Sequence, residues 1–123
     1  MSATAGGVVF RVGADLWFLP ASVAAQVVPV PAVARLPGAR PEVLGVAVHA
    51  GEAIPVVSLG TSRSCMLVCS YLGERLGLVG LEVEATGRFA APTGESLHGE
   101  SVVHEGRRAR LFDVSAVVAA VRG

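Results

Sequence analysis

The chain has 123 residues, 52% hydrophobic and 16% charged, with ten arginines, no lysine and ten acidic residues that cancel to zero net charge. That length suits one domain with a real core, and the composition excludes intrinsic disorder, which needs low hydrophobicity and high net charge. A neutral chain carries no global field for nucleic acid or for insertion at an anionic membrane, so protein partners are the first expectation.

The opening MSATAGG lacks a basic segment followed by an apolar run, so no secretory signal is expected, and the cytoplasm, with reduced thiols, is the expected compartment. The uncharged stretch from Leu16 to Ala34 is long enough to cross a bilayer, but it contains the polar Gln26, and Pro20, Pro29 and Pro31 would leave backbone groups unsatisfied in lipid.

In chain order, Gly7–Val12 and Leu16–Leu19 read as strands joined by a hairpin at Gly13-Ala14-Asp15. Ala25–Val30 reads as an edge strand or strand end, because Pro29 cannot donate to a ladder. Leu36-Pro37-Gly38 is turn chemistry, and Pro41–Leu44 suits one helical turn with proline first. Gly45–His49 and Ala53–Leu59 are two further apolar strands, followed by Cys65–Leu72 and Arg75–Val83. Ala85–His98 reads as the least structured segment, and Ser101–His104 with Arg108–Phe112 as a last hairpin. Only the C-terminus has helical period: Val114, Val117, Val118 and Val121 follow i, i+3, i+4, i+7, with Asp113 or Ser115 at the cap. About nine short strands and one helix predict an all-β barrel or sandwich over residues 1–123 as a single domain.

No constellation carries catalysis. Cys65 and Cys69 lie on one predicted strand, roughly 13 Å apart along it, too far for a disulfide or for two ligands of one zinc. Both read as buried small hydrophobes. His49, His98 and His104 have no metal-ligand spacing, and none of the serines sits in a nucleophile elbow. Glu82 and Glu84 share a strand face and read as a solvated edge, and Arg107, Arg108 and Arg110 as a basic hairpin tip open to an acidic partner. Neither a cofactor nor a metal is expected.

From Val9 to Leu59 the sequence VFRVGADLWFLP, then AAQVVPVPAVARLPGARPEVLGVAVHAGEAIPVVSL, resembles the CheW-like chemotaxis coupling proteins. Gly45, Val46, Gly51, Pro55, Val56 and Leu59 fall on the family pattern G-V-x-N-L-R-G-x-x-x-P-V-x-D-L without a gap. Leu72–Arg75 with Gly77-Leu78-Val79 is similar to the next family hairpin, and Leu111-Phe112-Asp113 to its closing element. The departures are specific. Val48-His49-Ala50 replaces Asn-Leu-Arg, Ser58 replaces an Asp, Leu81 stands where a later Asp is usual, and only Gly60–Ser64 connects Leu59 to Cys65.

The resemblance implies two small SH3-like five-stranded β-barrels sharing a core, with a hydrophobic groove between them and a short C-terminal helix. It implies a non-enzymatic adaptor of a chemosensory array. The groove would take the signalling tip of a methyl-accepting chemoreceptor, and other faces would take a CheA-type histidine kinase or other CheW-like proteins. Val27, Val30, Val33, Leu36 and Val43 are the expected groove residues, with Ala50 at the rim where the family arginine is missing. Losing that arginine, the aspartate and the longer loop implies weakened kinase coupling. The chain is similar in this to the short, divergent members of the myxobacterial gliding-motility frizzy pathway. An ordinary coupling protein bridging receptor and kinase is the alternative, and a small hydrolase or a purely structural homo-oligomer are readings of other classes.

Overall fold

The computed structural model describes residues 4–38, 40–90 and 101–122. Ten strands and one helix follow in chain order: β1 Thr4–Val12, β2 Asp15–Pro20, β3 Ala24–Val28, β4 Val43–His49, β5 Glu52–Ser58, β6 Met66–Tyr71, β7 Glu74–Val79, β8 Glu82–Ala90, β9 Ser101–His104, β10 Arg107–Leu111 and α1 Val114–Arg122. They form two five-stranded units.

The first unit is a closed barrel in the order β1-β2-β10-β9-β8. β1 is its seam, pairing antiparallel with β2 from Gly7↔Pro20 to Val12↔Asp15 and with β8 from Thr4↔Ala90 to Arg11↔Glu82. The register shifts between Val9 and Phe10, where β8 carries the extra residue Glu84, and this bulge bends β8 as it follows β1. β10 runs parallel to β2, and one pair, Ala90↔Val103, joins β8 to β9 and closes the ring.

The second unit is a five-stranded sheet in the order β3-β6-β7-β5-β4, with β5 and β7 parallel. Its two edges are linked by the chain itself. After β3 the backbone crosses to the other edge, where Ala34 bridges Val46 through N–H···O bonds of 2.8 Å in each direction. Gly45 makes this approach possible: at φ 156° a Cβ there would lie 2.1 Å from the Ala34 carbonyl oxygen. The expected pair of five-stranded barrels therefore differs in its two halves. One closes by strand pairing, the other by a connecting segment.

Three apolar clusters hold the chain. Val9, Leu16, Phe18, Phe89, Val102 and Ala109 fill the barrel, and Ala47, Ile54, Val56, Met66, Val68 and Val79 pack on one face of the second sheet. The third cluster belongs to both units: Val8, Phe10 and Leu19 of the barrel meet Val57, Leu67, Cys69, Leu76 and Leu78 of the sheet, with Leu81 and the helix residues Val114 and Val118. Alternation explains the sharing. Along β1, Val8 and Phe10 point to this joint core while Val9 points into the barrel.

Valine is a mediocre helix former, so α1 depends on that packing, and Val114, Val117, Val118 and Val121 all meet the shared cluster as their period predicts. Asp113 is the cap. Its carboxylate accepts from the Ser115 hydroxyl and, at 3.3 Å, from the Ala116 amide, and these bonds hold its pKa below the ordinary carboxylate value.

Several boundaries move from their sequence-based positions. The single strand expected over Arg75–Val83 is broken at Gly80, whose φ of 83° and contact with Gly60, 2.2 Å from a would-be Cβ to the Gly60 nitrogen, turn the chain between β7 and β8. Pro41–Leu44 forms no helical turn, because Val43 already pairs with Val57 in β4. Ala85–Ala90, expected to be loose, are strand, held by the long ladder with β1; residues 91–98 of that stretch lie outside the described residues.

Candidate partner-docking surfaces

Among the described residues, several charged side chains pair with one another. Arg11 pairs with Glu82 and, at 3.1 Å, with Glu84, so the two carboxylates of β8 anchor β1. Arg75 meets Glu52 at 3.5 Å, Arg88 donates to the Thr4 hydroxyl at 3.0 Å, and Arg110 lies over the Trp17 ring at 4.7 Å. Among the described residues no group of three or more His, Cys, Asp or Glu is placed to hold a metal ion. His104 stacks edge-on against Phe89, and no hydrogen bond joins a described histidine to a serine or cysteine. His98 lies outside the described residues.

Cys65 and Cys69 are free thiols. Cys69 is fully buried, and burial pushes its thiol from 9.0 up to about 12, which makes it an inert core residue. Cys65, half-buried, packs against the same shared cluster.

The short connection Gly60–Ser64 is closed on itself. The Arg63 guanidinium donates to the Gly60 carbonyl at 2.9 Å, the Ser62 carbonyl at 2.8 Å and the Ser58 hydroxyl at 3.2 Å, while Ser58 Oγ donates to Gly60 O at 2.9 Å. Ser58 is thus committed to its own loop. Ala50 and Gly51 make the two-residue turn between β4 and β5, both at positive φ (51° and 78°), so only a methyl group is presented there.

The six expected groove residues separate into four places. Val30 and Val33 pack half-buried against the sheet's own core. Val27, 40% exposed, faces outward from β3. Leu36, 48% exposed, and half-buried Val43 line one open cleft of about 390 Å³, together with Arg35, Pro37, Arg40, Pro41 and Leu44. Ala50 stands at the far end of β4 from Val43, roughly 20 Å away at strand rise.

Sequence reasoning missed a second apolar surface. Leu19, Pro20, Val23, Tyr71, Leu111, Phe112 and Val114 line a cleft of about 210 Å³ where barrel, sheet and helix meet. Leu111 is 44% exposed, and Leu72, one residue beyond Tyr71, is 85% exposed at φ 50°. A leucine in the left-handed region of a two-residue hairpin was the available signal, since glycine or asparagine is the usual occupant.

Two β units thus share one core and carry open apolar clefts on their surface. The CheW-like domain model matches residues 6–122, and the chain belongs to that family. Among solved structures it is similar to the crystal structure of the scaffolding protein TtCheW from Thermoanaerobacter tengcongensis, at 18% identity and a TM-score of 0.66, over 93% of this chain and 86% of that one. No curated protein matches the chain. No helix among the described residues is long and apolar enough to cross a membrane.

Proposed function

We propose that the chain is a non-enzymatic cytoplasmic adaptor of a chemosensory array that docks on the signalling tip of a chemoreceptor and couples only weakly to a CheA-type kinase. Membership of the CheW-like family supports the adaptor role. The observation that carries the docking is the pair Leu36 and Val43, an apolar surface left open on a loop pinned at both ends. Val27 extends the surface, and Val30 and Val33 hold it from beneath. An apolar face tolerates exchange among hydrophobic residues, so receptor docking survives divergence. Kinase coupling depends on polar anchors, and here Ala50 offers no donor, Ser58 is turned into its own loop, and Arg63 closes the five-residue connection. The short, divergent CheW-like proteins of gliding motility are the type this combination resembles.

Direct titration of the folded chain against a receptor-tip fragment and against the kinase regulatory domain tests both halves. Leu36→Glu, at an exposed position that leaves the core intact, should abolish tip binding by burying an unpaired carboxylate. Undiminished tip binding by that variant moves the receptor surface elsewhere. Kinase binding of a strength comparable to receptor binding restores the bridging role of an ordinary coupling protein.

A further inference from the structure

Several arginines of this chain are occupied by their neighbours. Arg11 and Arg75 pair with glutamates, Arg63 and Arg88 donate to oxygen atoms, and Arg110 stacks on Trp17. Arg35 and Arg40 have no such partner among the described residues, and both line the cleft that holds Leu36 and Val43. Glu42, the neighbouring acid, lies outside the lining, so the lining itself carries two cations and no anion.

The cleft is also preformed. Ala34 is tied to Val46 in both directions at 2.8 Å, the Val43 amide donates to Arg40 O at 2.9 Å, and the Ser58 amide donates to Glu42 O at 2.9 Å. Two prolines, Pro37 and Pro41, stiffen the intervening chain. A site held in this way loses little freedom on binding.

We infer that this cleft receives an acidic amphipathic helix of a protein partner, with an aliphatic side chain entering between Leu36 and Val43 and carboxylates meeting Arg35 and Arg40. Charge complementarity selects the occupant. Two guanidiniums are planar forks suited to carboxylates, and the lining of Leu36, Pro37, Pro41, Val43 and Leu44 requires an apolar group beside them. Inorganic phosphate would leave that apolar lining unused, and two cations on a neutral chain make no track for nucleic acid. Carboxylates one helical turn apart flank an aliphatic residue on one face, which is the pattern a two-armed cleft can read. The inference rests on the docking reading above and specifies the chemistry of the partner surface at the same cleft.

The test uses the full isotope-labelled chain and three short helical peptides that differ only in the residues flanking a leucine face: Glu, Gln or Lys. The Glu peptide should shift the amides of residues 35–44 and the Nε–H signals of Arg35 and Arg40. The Gln peptide should bind roughly five- to tenfold more weakly, and the Lys peptide more weakly still. R35Q/R40Q, changed at exposed positions only, should lose the same factor and should no longer distinguish Glu from Gln. Equal binding of the Glu and Gln peptides, shifts confined to another face, or no binding of the Glu peptide overturns the inference. A receptor-tip fragment titrated in parallel separates the two readings. Tip binding that falls with Leu36→Glu but ignores R35Q/R40Q keeps the adaptor and removes the acidic helix; peptide discrimination without tip binding does the reverse.

Discussion

The closed barrel and the second sheet solve the same problem with different means. The barrel closes on hydrogen bonds, holds Phe18 and Phe89 inside, and turns charges on one another: the two rings meet edge-on at 6.0 Å, and Arg11 clamps Glu82 and Glu84 across the β1–β8 ladder. The sheet closes through a crossing segment, is filled by aliphatic residues and Met66, and leaves arginines and half-exposed aliphatics on the segment that closes it. A connecting loop that doubles as a wall must show one side to solvent, and that side is where recognition can be written without disturbing the ladder. The barrel spends its charges on its own ladder, and the sheet leaves two arginines open beside an apolar cleft.

What joins the halves is the core they share, and its removal should have the largest effect. Phe10 is fully buried there and stacks edge-on against Phe112 with ring centroids 5.5 Å apart. Phe10→Ala should cost about 3–5 kcal/mol and still leave one unfolding transition, because neither half keeps a sufficient core alone. Met66→Ala, confined to the sheet's own cluster, should lower the same single transition by about 2–5 kcal/mol. Two resolved transitions by calorimetry in either variant would separate the units and break the comparison as drawn.

The architecture of both halves is largely legible in the sequence because short valine runs between Gly and Pro turns encode it. The helix is legible for the same reason, since Val114 to Val121 carry the only 3.6-residue period. Legibility fails where a long-range backbone contact decides. Nothing in RLGLVGLEV announces that Gly80 abuts Gly60, so one strand was expected where two exist. The expected looseness of Ala85–Ala90 fails likewise, because a polar strand is stabilised there by its partner β1 and not by its own composition. The docking surface is the least legible part. Valines 30 and 33 read the same as Leu36 and Val43 in sequence, and only the crossing of Ala34 to Val46 decides which face the core.

A second prediction sharpens the contrast from the sheet's side of the shared core. Burial raises the Cys69 thiol from 9.0 to about 12, so below pH 9 both folded and unfolded chains keep the proton and the residue adds no pH dependence. Between 9 and 12 the unfolded chain releases the proton while the folded chain holds it. Stability therefore falls as pH rises through that window, by about 2 kcal/mol at pH 10.5 from this group. Denaturant titrations at pH 8 and 10.5 should show the drop, and Cys69→Ala, less stable at pH 8, should show a shallower one. In native protein at pH 8 an alkylating reagent should spare Cys69 until the chain unfolds. Equal slopes for the two chains would mean that Cys69 is not held in a medium as apolar as its neighbours Leu67 and Leu76 make it.

The smallest expected effect lies in the hairpin tips. The barrel's last hairpin turns at Glu105-Gly106 and the sheet's at Leu72-Gly73, each with both residues at positive φ. Either non-glycine residue is strained, but glutamate at a solvated tip keeps its charge in water, whereas Leu72 exposes 85% of itself and gains no burial in return. Leu72→Asn should therefore stabilise the isolated chain by roughly 0.5–1 kcal/mol, since asparagine tolerates the left-handed conformation. A fall in stability would show that the leucine packs against Tyr71 and the junction cleft strongly enough to outweigh its backbone. A rise in stability accompanied by weaker binding to the receptor-tip fragment would show what the strain is kept for: an apolar knob on the sheet half, beside the cleft where the two halves meet, would then join Leu36 as part of the surface this chain presents to its partner.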